Sequence, residues 1–350
     1  MEKKRKRKIG MVILYAVLSL FIIFTVVFSH SIILTVKNLT ARQIHISATD
    51  RWENGKVFLA IPYSEVSESD YLNLYVPDME LQKPKLLVLI HGGGFIAGTA
   101  ETKQTQLMYL YFRDHGYACA TINYRLAEEA GFPAAIEDCK SAIRYLCANA
   151  DRYGYDAEQI VLFGESAGGY LATMCALTND EEFNTLAFTG QTEENNPSAR
   201  VDALIDYYPY TALTGLNEDL KEIGYSRLFY FVANSWMIGK LSGFEDFASC
   251  WLRKNITEMT PEERSLADPL YYLEKNAADL GSLTIYLIHG DADITVPIPS
   301  SNRLYEACCT ALGEDSIQYR VVPGMGHASD PLYSDEVLAE IDEYLQKRLP

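Results

Sequence analysis

Residues 160–168 read IVLFGESAG and join an apolar run to the pattern G-x-S-x-G at 164–168. A short apolar run predicts a buried strand, here 160–163, and the pattern then opens a predicted helix at 166–177. In that context the tight turn raises a serine hydroxyl above the sheet, and the helix N-terminus favours developing negative charge. The alternative is a Gly/Ser-rich turn without chemistry. Ser166 is therefore a candidate nucleophile.

Around this stretch, predicted strands alternate with predicted helices, a pattern typical of a parallel sheet. The strands are expected at 57–63, 72–76, 85–90, 118–122, 160–163, 201–207, 283–288 and 317–322. The helices are expected at 105–115, 133–152, 166–177, 300–312 and 336–348. We therefore predict an α/β fold in which helices cover both faces of a mostly parallel central sheet.

The segment 210–268 interrupts this alternation, because it shows no clear strand and is too long for an ordinary connection. It is rich in aromatic residues, and we predict a helical cap inserted into a domain that covers 41–350. The aromatic residues are Phe229, Tyr230, Phe231, Trp236, Phe244, Phe247 and Trp251.

A serine hydroxyl becomes a good nucleophile when a base takes its proton and a carboxylate orients that base. His327 is the candidate base, since it ends the loop PGMGH at 323–327 after the last predicted strand. A surface histidine without chemistry is the alternative. The loop HGDADITVP at 289–297 offers two carboxylates, Asp291 and Asp293, and spacing alone does not choose between them. The chain order Ser, Asp, His matches one of the known orders of a catalytic triad.

The sequence HGGG at 91–94 supplies glycines directly after a buried strand. Acyl transfer creates an oxyanion, which backbone N–H groups stabilise where no side chain intervenes. Gly93, Gly94 and Ala167 can provide three such groups. The stretch lacks the G-K-[ST] ending of a phosphate loop and the spacing of a dinucleotide fingerprint, so no nucleotide cofactor is expected.

Together, the motifs HGGGF, GESAGG, GDADITVP and GMGH resemble the hormone-sensitive-lipase-like branch of α/β-hydrolase carboxylesterases, especially its bacterial carbohydrate-esterase-like members. The similarity runs from about residue 72 to 350. It implies Ser166 as nucleophile, His327 as base and Asp293 as acid, the last through the pattern G-x-x-D-x-x-V at 290–296. It also implies an oxyanion hole from Gly93, Gly94 and Ala167.

The N-terminus has a different character from the rest of the chain. Residues 1–8 carry six Lys/Arg and one Glu, whereas the whole chain has a net charge of −17. Residues 9–36 carry no charged side chain, and 20 helical residues span about 30 Å, the thickness of a bilayer core. We therefore expect a cytoplasmic basic segment at 1–8, a transmembrane signal-anchor at 9–36 and a catalytic domain outside the cytoplasm. A cleaved signal peptide, which would make the protein secreted, and a buried soluble helix are the alternatives.

These features predict a membrane-anchored serine carboxylesterase that hydrolyses a small or carbohydrate-linked ester through an acyl-enzyme. A serine peptidase or an acyltransferase on the same fold is the alternative, and a non-catalytic binding protein is a third. The acidic body argues against a nucleic-acid partner. The 7 cysteines form no C-x-x-C pair and no H-E-x-x-H motif occurs, so neither a metal nor another cofactor is expected.

Overall fold

The computed structural model describes residues 52, 54–80, 82–211, 219, 222–224 and 247–349. Its centre is one sheet of eight strands. The strands are β1 (Gly55–Pro62), β2 (Tyr71–Pro77), β3 (Lys85–Ile90), β4 (Tyr117–Ile122), β5 (Asp156–Glu165), β6 (Ala203–Tyr207), β7 (Thr284–Gly290) and β8 (Ile317–Val322).

The strand order across the sheet is β1-β2-β4-β3-β5-β6-β7-β8. Strand β2 runs antiparallel to both of its neighbours, β1 and β4. All other neighbouring pairs are parallel. The loops that follow β3, β5, β7 and β8 therefore leave the sheet at the same edge, which is where open α/β sheets bind ligands.

Helices connect and cover the strands. They are α1 (Lys103–Asp114), α2 (Ala134–Ala148), α3 (Ala150–Tyr153), α4 (Ala167–Leu177), α5 (Phe247–Leu252), α6 (Pro261–Leu266), α7 (Pro269–Asn276), α8 (Pro299–Leu312) and α9 (Asp335–Arg348). Single 3-10 turns occupy Ile256–Glu258, Glu314–Ser316 and Asp330–Tyr333.

The apolar run of β3 shows how the core is divided. Leu86, Val88 and Ile90 point into a core that α2, α4, α7 and α8 share. Leu87 and Leu89 point to the opposite face, where α1 and α9 pack. Because successive side chains of a strand alternate between faces, a continuous apolar run is what a strand buried on both faces requires. The predicted α/β sheet with helices on both faces is confirmed.

Two helices differ from the prediction. The segment 133–152 was expected as one helix, but it ends at Ala148 and resumes as α3, with Asn149 between them. The Asn149 side chain donates to the Tyr145 carbonyl oxygen at 2.8 Å and so caps the last turn. Helix α7 was not predicted. It starts at Pro269, and the Asp268 side chain accepts from the Leu270 N–H at 2.9 Å.

The predicted segments 1–8 and 9–36 lie outside the described residues. Among the residues that are described, no helix is long and apolar enough to cross a membrane. Most of the predicted cap also lies outside them, including Phe229, Tyr230, Phe231, Trp236 and Phe244. The described part from 247 onward forms the short helices α5 and α6. Trp251 of α5 is buried in the core, where it stacks on Phe95 with 4.4 Å between ring centroids.

Candidate active site

The turn between β5 and α4 carries Ser166 in a strained backbone conformation, with φ of +55° and ψ of −117°. A left-handed φ at a residue with a side chain costs on the order of 1–3 kcal/mol and persists only where its surroundings enforce it. Two glycines make the turn possible. A Cβ on Gly164 would lie 2.2 Å from the Gly168 carbonyl oxygen, and one on Gly168 would lie 2.3 Å from the Ile90 carbonyl oxygen.

The three candidates for a catalytic triad meet at the carboxyl edge of the sheet. His327 lies in the loop after β8, and its Nε2 is 3.0 Å from Ser166 Oγ. Its Nδ1 is 2.6 Å from Oδ2 of Asp293, which lies in the loop after β7. A hydrogen-bonded chain from carboxylate to imidazole to hydroxyl is the arrangement that lets the imidazole accept a proton from the serine.

Of the two carboxylates that the sequence left open, Asp293 and not Asp291 contacts His327. The Asp293 side chain is buried, and its Oδ1 accepts from the N–H groups of Thr295 at 2.8 Å and Val296 at 3.0 Å. Asp291 is exposed, and its Oδ1 accepts from the Gly324 N–H at 2.6 Å. Asp291 therefore holds the loop that carries His327, whereas Asp293 touches the imidazole itself.

The charges of Asp293 and His327 shift the pKa values of both side chains. Burial alone would raise the pKa of Asp293, but the nearby His327 and His289 rings outweigh burial and lower it. Burial alone would lower the pKa of His327, but the charge and hydrogen bond of Asp293, together with the Glu165 charge, raise it. Asp293 is thus held as a carboxylate that stabilises a protonated His327.

The loop after β3 approaches Ser166 with two glycines whose φ angles are positive, +121° at Gly93 and +63° at Gly94. A Cβ on Gly93 would lie 1.9 Å from the Ala97 carbonyl oxygen, so a side chain is excluded there. Within the described parts of the chain, the N–H groups of Gly93, Gly94 and Ala167 donate to no protein acceptor. These three amides remain available to an oxyanion.

His91 orders this loop and does not contact the triad. Its ring is fully buried, with Nδ1 2.7 Å from the Gly92 carbonyl oxygen. It stacks on Tyr124 with 4.3 Å between centroids. Burial lowers the pKa of His91 to about 4, against a weaker opposing effect from its hydrogen bonds. The ring is therefore neutral at physiological pH and acts as a packed spacer.

His289, at the end of β7, contacts the neighbouring loop and helix and not Ser166. Its Nδ1 is 2.7 Å from Ser301 Oγ and its Nε2 is 2.8 Å from the Val296 carbonyl oxygen. The ring also lies 3.5 Å from Asp293 Oδ2, so it braces the carboxylate that contacts His327.

Three residues of the site were not predicted from the sequence: Glu165, Tyr208 and Tyr333. Glu165 is buried directly before Ser166, and its carboxylate accepts from Tyr208 Oη at 3.0 Å. Tyr208 and Tyr333 share a short hydrogen bond between their hydroxyls. A charged residue inside the G-x-S-x-G turn was the only signal that the sequence offered for this group.

In the described ranges, no group of three or more His, Cys, Asp or Glu side chains is arranged to hold a metal ion. All 7 cysteines are described, and each is a free thiol.

Comparisons with known proteins find esterases among the proteins similar to this chain. The esterase LipC of Mycobacterium tuberculosis is 25% identical over 256 residues, which cover 73% of this chain and 55% of LipC. The esterase LipQ of the same organism is 26% identical over 274 residues, covering 77% and 56%. The chain thus spans about half the length of these curated relatives.

Two solved structures share the fold. A truncated carbohydrate esterase from gut microbiota superposes with a TM-score of 0.67 at 22% identity, covering 84% of this chain and 96% of its own. A thermophilic esterase from Thermogutta terrifontis gives 0.59 at 23% identity, covering 84% and 94%. A family model, BD-FAE, matches residues 72–308. Because that match covers well over half of the 350 residues, the chain belongs to the BD-FAE family of α/β-hydrolase carboxylesterases.

Proposed function

We propose that this protein is a serine carboxylesterase in which Ser166 is the nucleophile, His327 the general base and Asp293 the acid that orients the base. The observation that carries the proposal is the continuous contact from Asp293 through His327 to Ser166, at 2.6 and 3.0 Å. Ser166 lies on the strained turn between β5 and α4, where its hydroxyl faces the carboxyl edge of the sheet.

In the first half-reaction, Ser166 Oγ attacks the ester carbonyl carbon while His327 Nε2 takes the hydroxyl proton. The carbonyl oxygen becomes an oxyanion, which the N–H groups of Gly93, Gly94 and Ala167 stabilise. When the tetrahedral species collapses, the carbon–oxygen bond to the alcohol breaks and His327 returns the proton to the departing oxygen. The acyl group remains on Ser166 as an ester.

In the second half-reaction, water takes the place of the alcohol. His327 removes a proton from the water as its oxygen attacks the acyl carbon, and the same three amides stabilise the second oxyanion. Collapse breaks the bond to Ser166 Oγ, which regains its proton from His327. The products are a carboxylic acid and the free enzyme. Asp293 keeps the imidazole in the tautomer that presents an unprotonated Nε2 to the serine.

For the substrate, we propose a small ester or an ester linked to a carbohydrate. The chemistry requires only an accessible ester carbonyl next to Ser166. Support for a carbohydrate alcohol comes from the likeness in fold to the truncated carbohydrate esterase from gut microbiota and to a bifunctional GH43-CE protein of Bacteroides eggerthii, with a TM-score of 0.68 for the latter.

For the location, we propose that residues 9–36 anchor the protein in a membrane and that residues 1–8 stay on the cytoplasmic side. The support is the 28-residue stretch without charged side chains that follows six basic residues. The catalytic domain would then act outside the cytoplasm on extracellular esters.

The test is hydrolysis of p-nitrophenyl esters of increasing acyl length, together with acetylated oligosaccharides, by the wild type and by Ser166→Ala. We expect wild-type hydrolysis of short acyl esters and a loss on the order of 10³-fold or more in the variant. Hydrolysis that is unchanged in the variant would contradict the mechanism. Absence of Ser166-dependent hydrolysis of every acetylated sugar, with p-nitrophenyl esters still hydrolysed, would contradict the carbohydrate proposal alone.

A further inference from the structure

Glu165 is an unusual carboxylate, because its side chain is buried next to the proposed nucleophile without a Lys or Arg partner among the described residues. It is the last residue of β5 and only 5% exposed. No Lys or Arg in the described part of the chain forms an ion pair with it. An unpaired buried carboxylate destabilises a fold, so its presence calls for a role beyond packing.

The two carboxylate oxygens of Glu165 join two separate parts of the site. Oε1 accepts from the Gly92 N–H at 3.2 Å, at the start of the loop that carries Gly93 and Gly94. Oε2 accepts from Tyr208 Oη at 3.0 Å. The contact to Gly92 is tight, since a Cβ on Gly92 would lie 3.2 Å from Glu165 Cδ.

Tyr208 extends this connection to the base. Its ring lies against the His327 ring, with 4.6 Å between centroids and an interplanar angle of 60°. Its hydroxyl also bonds to the Tyr333 hydroxyl, in the 3-10 turn that follows the His327 loop. Both tyrosines are buried.

We propose that Glu165 is a positioning residue for the reaction: its carboxylate holds the oxyanion loop at Gly92 and, through Tyr208, the ring of His327 in register with Ser166. This inference rests on the proposed function. It explains why a charge is retained where an apolar side chain would stabilise the fold.

The charge of Glu165 has a second, separable consequence. The titratable side chains that face it come from four segments: Tyr124 after β4, Tyr208 after β6, His327 after β8 and Tyr333 in the 3-10 turn. Burial raises the pKa of Glu165, although the Gly92 and Tyr208 hydrogen bonds and the His327 charge oppose that rise. As a carboxylate, Glu165 adds to the effect of Asp293 in raising the pKa of His327.

Glutamine at this position separates the two roles. Its amide oxygen can accept from the Gly92 N–H, while its NH₂ group donates to the Tyr208 hydroxyl, which then turns its own proton to Tyr333. Glu165→Gln thus keeps both links and removes the charge. Glu165→Ala removes both links and the charge. Tyr208→Phe keeps the charge and the link to Gly92, but it breaks the link between Glu165 and Tyr208 and the bond to Tyr333.

The experiment measures kcat and KM for p-nitrophenyl acetate against pH in these three variants, the wild type and Ser166→Ala. For Glu165→Ala we expect kcat to fall roughly 10²-fold, the loss that a shift of about 1 Å in a site produces, with KM changed less than about threefold. For Glu165→Gln we expect a smaller loss of kcat at the plateau of the pH profile. The acid limb of that profile, where kcat falls as pH decreases, should move to lower pH, and the Tm should be no lower than that of the wild type. For Tyr208→Phe we expect a lower kcat with the acid limb unmoved.

Glu101→Gln is the matched control. Glu101 also accepts from tyrosine hydroxyls, those of Tyr75 at 2.8 Å and Tyr109 at 3.4 Å, but it contacts no residue of the triad. Its kcat and acid limb should equal those of the wild type.

The proposal is wrong if folded Glu165→Ala keeps kcat within about threefold of the wild type, or if its loss lies in KM alone. If Glu165→Ala does not fold, Tyr208→Phe decides, and an unchanged kcat in that variant overturns the proposal. An unmoved acid limb in Glu165→Gln overturns the effect of the Glu165 charge on His327. Absence of Ser166-dependent hydrolysis in the wild type would overturn the proposed function, and this inference with it.

Discussion

Changing Asp293 to asparagine tests the orientation of the base with almost no change in shape. The Oδ1 of Asp293 accepts from two backbone N–H groups, those of Thr295 and Val296, which cannot turn away. The oxygen of the new amide will therefore face these donors, and its NH₂ group will face Nδ1 of His327. Since NH₂ can only donate, Nδ1 must become the acceptor and the ring proton moves to Nε2.

In that tautomer Nε2 cannot accept the proton of Ser166, which lies 3.0 Å away. The same change in a trypsin-type triad lowers kcat about 10⁴-fold, equivalent to about 5.5 kcal/mol at 1.36 kcal/mol per factor of ten. We expect a loss of this order for Asp293→Asn, measured as initial rates on p-nitrophenyl acetate with thermal unfolding as the check on folding.

Asp291→Asn is the matched control, because it makes the same chemical change two residues away. Among the described residues, Asp291 accepts only from the Gly324 N–H, and its side chain is exposed, so we expect a loss of less than about tenfold. A larger loss in Asp291→Asn than in Asp293→Asn would refute the reasoning. So would a folded Asp293→Asn variant within tenfold of the wild type.

Three further predictions concern the base, the turn and the N-terminus. Because the pKa of His327 is raised, log kcat/KM should fall as pH decreases, with a midpoint above about 6.5, the usual pKa of histidine. A midpoint below that value would contradict the effect of the Asp293 charge on His327. Gly164→Ala places a Cβ 2.2 Å from a backbone oxygen and should cost about 1–3 kcal/mol in the free energy of unfolding as well as activity. Gly281→Ala, whose new Cβ would have no atom of the described residues within 4 Å, should change neither. The full chain should resist carbonate extraction from membranes, and a chain starting at residue 41 should stay in solution and still hydrolyse esters; a full-length protein extracted by carbonate would contradict the anchor.

The sequence was informative where a local pattern determines local geometry. The turn around Ser166 follows from its glycines, because a side chain at Gly164 or Gly168 would strike the backbone. The parallel sheet follows from apolar runs such as β3, which are buried on both faces.

The choice between Asp291 and Asp293 could not be made from spacing, because both residues follow the same strand. Only the path of the loop decides, and it turns Asp293 inward and Asp291 towards Gly324. The resemblance to known esterases supplied the right candidate for the contact with His327.

Contacts between distant segments could not be predicted from the sequence. Glu165, Tyr208 and Tyr333 meet through side chains that are up to 168 positions apart in the chain, and no local pattern links them. Helix α7 begins with Asp268 and Pro269, a cap residue followed by proline, which is a common start for a helix and a local signal that the sequence does contain.

The most direct test of the central claim is covalent labelling with a fluorophosphonate, which reacts with an activated serine, followed by mass-spectrometric mapping of the labelled peptide. The account predicts one label per chain, on Ser166, that disappears in Ser166→Ala and forms far more slowly in His327→Ala. A label on a different serine, or a label that persists in Ser166→Ala, would contradict it.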